Sequence, residues 1–322
     1  MARLLSPRLL YRVGGEGFLL ESNETPISLD VPACYGPFVE AAPEAGEGGA
    51  IRVGIEVGPL EPPTGEPIFD AGSWRVLRHD GERSVVFQTV LMSEPLYEAR
   101  FRPGAREVRL SCSPGTVTER DGRRAVDCHF RYPLDQVLTM YELGSRGLIV
   151  HSAGVIAGGR GLVLAGVSGA GKSTVTRLAA SRPGFVAVSD DRVILRTDGP
   201  DGAAMHGTPW HGEEAVARSE SAPLHGLLFL VKGDRNEVRP ISRREALARL
   251  LPTVSLPWYD PEARDAGLAA CDAVVRGVPA GVFTFRPEPG AVEALEAFLD
   301  RGAVGVASGP SRTYIPTCGG AP

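Results

Sequence analysis

The octapeptide GVSGAGKS at residues 166–173 constrains this chain more than any other stretch, because it fits GxxxxGK[ST] in full and lies where that pattern can act on phosphate. An apolar run, GLVLAG (161–166), precedes it, and a helical pattern from Lys172 to about Ser181 follows. Strand, glycine turn and helix start, in that order, let successive N–H groups converge on an anion at the positive end of the helix dipole. Gly166, Gly169 and Gly171 give the backbone its freedom and close approach. The cradle expected for ATP is Gly166, Ser168, Gly169, Ala170, Gly171, Lys172, Ser173 and Thr174. Within it the Lys172 ammonium is expected between the β- and γ-phosphates and the Ser173 hydroxyl on Mg²⁺, with Thr174 the weaker metal candidate. Only two of the 34 basic residues are lysines, Lys172 and Lys232, so a lysine kept inside this turn points to its chemistry.

Soon after the loop comes FVAVSDDRVIL, which puts Asp190 and Asp191 at the end of one short apolar run and ahead of another. Only one short helix and one strand fit between Lys172 and this pair, so the chain returns beside the phosphate loop. One carboxylate there can hold Mg²⁺ and the other can accept a proton from an attacking hydroxyl. Two adjacent carboxylates repel, so a metal ion or an arginine must compensate one of them, and Arg192 is the nearest arginine. A bare Asp-Asp turn between strands is the plainer alternative, and the nearby loop tips the reading towards function.

HSAGVI (151–156), GVSGAGKST (166–174) and SDDRV (189–193) together resemble the C-terminal catalytic domain of the HPr kinase/phosphorylase family, whose fold is shared with phosphoenolpyruvate carboxykinase. The early acidic pair is the discriminating feature, and the resemblance covers about residues 145–300. It implies an α/β, P-loop catalytic domain in which His151, on the strand before the loop, helps polarise the acidic pair. It further implies Asp190 as the base toward an acceptor serine and Asp191 as the partner of metal and phosphate. MHGTPWHGEE (205–214) stands where that family carries its signature for phosphorolysis and HPr docking, so HPr and the reverse reaction are not expected. The closer likeness is to HPr-kinase-related proteins of peptide-modification gene clusters.

In that segment His206, Thr208, Trp210, His211 and Glu213 crowd one loop, with Glu213 a candidate to complete the Mg²⁺ shell and His211 a candidate phosphate contact. The spacing of His206, His211 and Glu213 is too generic to predict zinc. Arg218 and Arg239 are candidates for charge on the transferring group, whereas His79, His129 and His225 read as surface or structural and Cys271 as core.

The chain of 322 residues, 43% hydrophobic and 23% charged, has room for two domains. Residues 1–140 alternate short β-type runs with turns such as His79-Asp80-Gly81 and Pro103-Gly104 and predict a β-rich domain whose role is open. A helix over 132–143 is expected to join it to a catalytic domain at 141–302, in which a mostly buried sheet is flanked by helices. Residues 303–322 are expected to form a flexible tail, and 43–49 and 59–67 surface loops. A net charge of −5 argues against nucleic acid. No run is long enough to span a bilayer, the N-terminus has no cleavage signal, and five scattered cysteines form no CxxC pair, so a cytoplasmic protein with reduced thiols is expected. The function expected is an ATP- and Mg²⁺-dependent kinase acting on a hydroxyl, with serine of a peptide or protein as acceptor and an oligomer possible. A small-molecule kinase and an ATP-binding sensor without transfer are the alternatives.

Overall fold

The computed structural model describes residues 7–22, 28–42, 49–120, 122–127, 129–199 and 202–306. It is a mixed α/β structure with two nine-stranded sheets, a three-stranded sheet and few helices. The expected loop at 43–49 lies outside the described residues except for Gly49. The predicted tail also lies outside them from residue 307 onward; its first residues instead continue the last helix, Gly290–Val306.

In the N-terminal half the alternating runs become strands Ile51–Val57, Trp74–His79, Glu82–Phe87, Tyr97–Phe101 and Glu107–Cys112. The His79-Asp80-Gly81 turn closes a hairpin, with both central residues at positive φ (46° and 79°), the backbone twist that a two-residue hairpin favours. The loop expected at 59–67 is shortened by an edge strand, Glu66–Asp70. The apolar stretch near the N-terminus forms a hairpin as well, Arg8–Val13 paired with Glu16–Ser22. One face of this sheet buries Tyr11, Phe18, Tyr97 and Phe130, with the rings of Phe18 and Phe130 5.2 Å apart.

The C-terminal sheet is organised by two long strands, Gly147–Ala157 and Ser221–Lys232. Gly147–Ala157 pairs with Arg192–Gly199 along its first half, and with Arg160–Ala165 and Phe185–Ser189 along its second. Arg160–Ala165 also pairs with Ser221–Lys232, so the ladder returns on itself. Helix α1 is Leu134–Leu143, α2 Lys172–Ala180, α3 Arg243–Leu250, α4 Pro261–Gly277 and α5 Gly290–Val306. Helices α2 and α5 cover one face, where Val175, Ala179, Leu295 and Leu299 pack on Val155, Leu164 and Phe283. Helices α3 and α4 cover the other, where Leu250, Cys271 and Val274 pack on Val150, Val193 and Leu227. Among the described residues no helix is long and apolar enough to cross a membrane.

The halves meet in the N-terminal core. Leu134, Val137 and Leu138 of α1, with Ile149, Ile194 and Trp210 from the C-terminal half, pack into the N-terminal cluster. Its centre is polar: the fully buried Asp135 carboxylate accepts hydrogen bonds from Tyr35 Oη (2.6 Å), Trp210 Nε1 (2.6 Å), the Gln136 amide (2.8 Å) and, more weakly, Tyr11 Oη (3.4 Å). Desolvation outweighs these donors and pushes the Asp135 carboxyl up to about 6. Because the folded value lies above the unfolded one, the folded state binds the extra proton between about pH 4 and pH 6, and stability falls as pH rises through that window. Relative to Asp135→Asn, the wild type should therefore lose roughly 3 kcal/mol between those limits, read from urea midpoints across pH. A difference between the two proteins that is flat with pH would contradict this reading of the buried carboxylate.

Candidate functional site

The glycine loop sits between strand Arg160–Ala165 and α2. Gly171 caps the helix at φ 104°, and a Cβ there would come within 2.6 Å of the Phe285 ring; a side chain would be both strained and obstructed. At Gly166 a Cβ would fall 2.7 Å from that of Ala170. The first intrahelical bond, from Val175 N–H to the Gly171 carbonyl, leaves the N–H groups of Lys172, Ser173 and Thr174 with no acceptor inside the helix. Lys172 is 9% exposed and donates to the carbonyls of Gly166 (2.8 Å) and Val167 (3.4 Å). Burial lowers its pKa, against the pull of Asp191. Ser168 and Gly169 are exposed on the turn.

One rung of the sheet joins this loop to the acidic pair. Ser152 pairs with Ala165, the residue before the loop, on one side, and its N–H donates to the Asp191 carbonyl at 2.9 Å on the other. With adjacent strands about 4.8 Å apart, the start of the loop and Asp191 flank a single residue of Gly147–Ala157. The preceding residue is His151, whose Nδ1 lies 3.0 Å from Asp191 Oδ1. Arg192, opposite His151 in the ladder, closes on the other Asp191 oxygen. Burial pushes the Asp191 carboxyl up, but the His151 hydrogen bond and the charges of Arg192 and Lys172 outweigh it and hold the group below the usual carboxylate range.

The two aspartates thus do different things. Asp190 is 3% exposed and accepts three backbone hydrogen bonds, from Gly212 (2.9 Å) and Val216 (3.3 Å) on Oδ1 and from Glu214 (2.8 Å) on Oδ2. Three of about four acceptor positions of the carboxylate are filled. A Cβ at residue 212 would lie 2.9 Å from Asp190 Oδ2, so Gly212 is what lets the loop backbone come so close. The base role expected for Asp190 meets a carboxylate spent on holding the 209–217 loop, and the side chain left facing His151 and the glycine loop is that of Asp191. Ser189 turns the chain between them: its Oγ accepts from the amides of Asp191 (3.4 Å) and Arg192 (3.1 Å).

The crowded segment is only partly a loop. His206 ends a strand, Gly202–His206, where desolvation and the nearby charge of Arg196 lower its pKa to about 4. Thr208 bonds the Arg192 carbonyl at 2.6 Å and Trp210 is buried on Asp135, so these two are structural. His211 and Glu213 are exposed, and Glu214 pairs with Arg177 of α2 at 2.8 Å. Among the described residues no group of three His, Cys, Asp or Glu converges to hold a metal ion; the expected set of Ser173, Asp191 and Glu213 contains only two such residues. Arg218 and Arg239 pair instead with Glu220 and Glu245 at 3.7 and 3.4 Å. Of the other expectations, Cys271 is buried in α4, and His79 and His225 are exposed whereas His129 is buried on the Asp127 carbonyl.

Residues 134–263 match the family described as ScmC, SynChlorMet cassette protein ScmC, a span of less than half the chain. No curated protein matches. Among solved structures, the Hpr(Ser) kinase/phosphatase from Coxiella burnetii is similar at a TM-score of 0.31 and 12% identity, over 49% of this chain and 92% of that one; a likeness so slight assigns neither activity nor residues.

Removing the Asp190 carboxylate leaves three backbone N–H groups unpaired beneath the loop. Asp190→Ala should cost on the order of 3 kcal/mol or more in urea unfolding and expose 209–217 to protease. A loss under about 1 kcal/mol with unchanged cleavage would contradict the anchoring role.

Proposed function

We propose that the chain is an ATP- and Mg²⁺-dependent phosphotransferase acting on a hydroxyl, with serine of a peptide or protein as the acceptor. The observation that carries this reading is the rung at Ser152, which sets the glycine turn and the Asp191–His151 pair on either side of one residue. A polyphosphate suits the turn because the free amides of α2 point out of its start, while the glycines at 166 and 171 let the turn pack on Ala170 and Phe285. Bound there, MgATP would supply the transferable phosphoryl group together with metal charge on its oxygens.

The chain's own groups then divide the work. Lys172, which donates to the Gly166 and Val167 carbonyls, would turn its ammonium to phosphate oxygens, and Ser173 and Thr174 would offer hydroxyls to the metal. Mg²⁺ commonly keeps several waters and takes few protein ligands, so a site with Ser173 and a single carboxylate is sufficient beside phosphate oxygens. His151 holds the Asp191 carboxylate in one orientation. A carboxylate kept below its usual range is a weak base, so the part of Asp191 is to orient the acceptor hydroxyl and take its proton late in a loose transition state. Asp190 keeps the 209–217 loop closed on this arrangement and touches no reactant.

Lys172→Ala should abolish ATP binding measured by calorimetry while leaving the fold intact, and wild-type protein given γ-labelled ATP and a neighbouring-gene peptide should label serine. Unchanged ATP affinity in the variant would overturn the reading. Label confined to small metabolites would favour a small-molecule kinase instead.

A further inference from the structure

Beside the Asp191 site lies a chamber of about 480 Å³ between the two halves, walled by Phe69 and Trp74 of the N-terminal half, Tyr132 ahead of α1, and Leu256, Trp258 and Tyr259 ahead of α4. Phe69 packs at a tilt against both Trp74 (centroids 4.7 Å) and Tyr259 (4.8 Å), which makes an aromatic floor. At the mouth Trp258 and Tyr132 are 49% and 58% exposed, large apolar area of the kind that marks a binding site. A second cleft of about 520 Å³, with Arg131, His211 and Cys34 in its wall, shares Tyr132, Gln136 and Arg192 with the first. Arg192 thus borders both spaces while its guanidinium grips Asp191.

Resting on the phosphoryl-transfer reading, we propose that the chamber receives an aromatic side chain of the acceptor peptide, adjacent in sequence to the serine that is phosphorylated. The volume suits one large side chain with its flanking backbone and is far too small for a folded partner. Aromatic walls by themselves would also suit a cation. Here, however, no carboxylate lines the chamber and its charged wall residue, Arg192, is already paired with Asp191, so nothing in the wall compensates a basic side chain and a neutral ring is favoured. Gln136 lines both spaces, a polar side chain that suits a peptide backbone better than a bare hydrocarbon. Two compartments meeting at Arg192 suit an extended chain that lays its ring in one and its backbone across to the other, carrying the neighbouring hydroxyl past Asp191. The N-terminal half, through Phe69 and Trp74, thereby acquires a part in choosing the acceptor.

The test is calorimetry of the full chain with acetyl-Ser-Phe-Ser-amide, acetyl-Ser-Lys-Ser-amide and benzyl alcohol, with ATP affinity measured on the same samples. The phenylalanine peptide should bind at least about tenfold more tightly than the other two, and Trp258→Ala should weaken it by about tenfold with ATP affinity unchanged. Equal or tighter binding of the lysine peptide, benzyl alcohol binding as well as the peptide, or indifference to Trp258→Ala would overturn the proposal. ATP binding without preference for the aromatic peptide sinks this inference alone, whereas absence of ATP binding sinks the phosphoryl-transfer reading beneath it.

Discussion

The three backbone hydrogen bonds accepted by Asp190 are the constraint on which the rest of the site depends. They draw residues 212–216 down onto the end of strand Phe185–Ser189, and because the carboxylate is buried the alternative to making them is three N–H groups out of reach of water. With Asp190 committed downward, Ser189 turns the chain so that Asp191 faces the other way, towards His151 and Lys172. A division of labour between identical neighbours follows: one carboxylate builds the wall and the other stands in the opening.

A second buried carboxylate, Asp135, works on the same segment from the opposite side. Through Trp210 it fixes the start of the 209–217 loop, and through Tyr11 and Tyr35 it ties that loop to the N-terminal sheet. The segment is thus held at both ends by acids that belong to different elements, α1 and the end of Phe185–Ser189. It also ties the two halves together around α1.

Much of the scaffold was legible in the sequence. The 166–173 turn, its flanking strand and α2 follow from glycine spacing and from the switch between apolar run and helical period. The hairpin at His79-Asp80-Gly81 follows from residues that tolerate positive φ. The different surroundings of Asp190 and Asp191 were not legible, because adjacent identical residues differ only in the direction their side chains take, and that is set by the Ser189 hydroxyl and by amides more than twenty positions downstream. Asp135 was hidden for a related reason: in YPLDQVLTMYEL it occupies an ordinary place in the first turn of a helix, and only the tertiary approach of Tyr35 and Trp210 makes it central. The aromatic chamber draws on residues 69, 74, 132 and 256–259, so no local pattern could announce it.

Comparing Asp191→Asn with Asp190→Asn in single-turnover transfer from γ-labelled ATP tests this division most directly, once fold and ATP affinity have been checked for each. Asp191→Asn is expected to stay folded and bind ATP while transfer falls on the order of 10²–10⁴-fold, and Asp190→Asn to lose stability, with transfer in its folded fraction reduced much less. Transfer that survives in Asp191→Asn but vanishes in a fully folded Asp190→Asn would reverse the assignment.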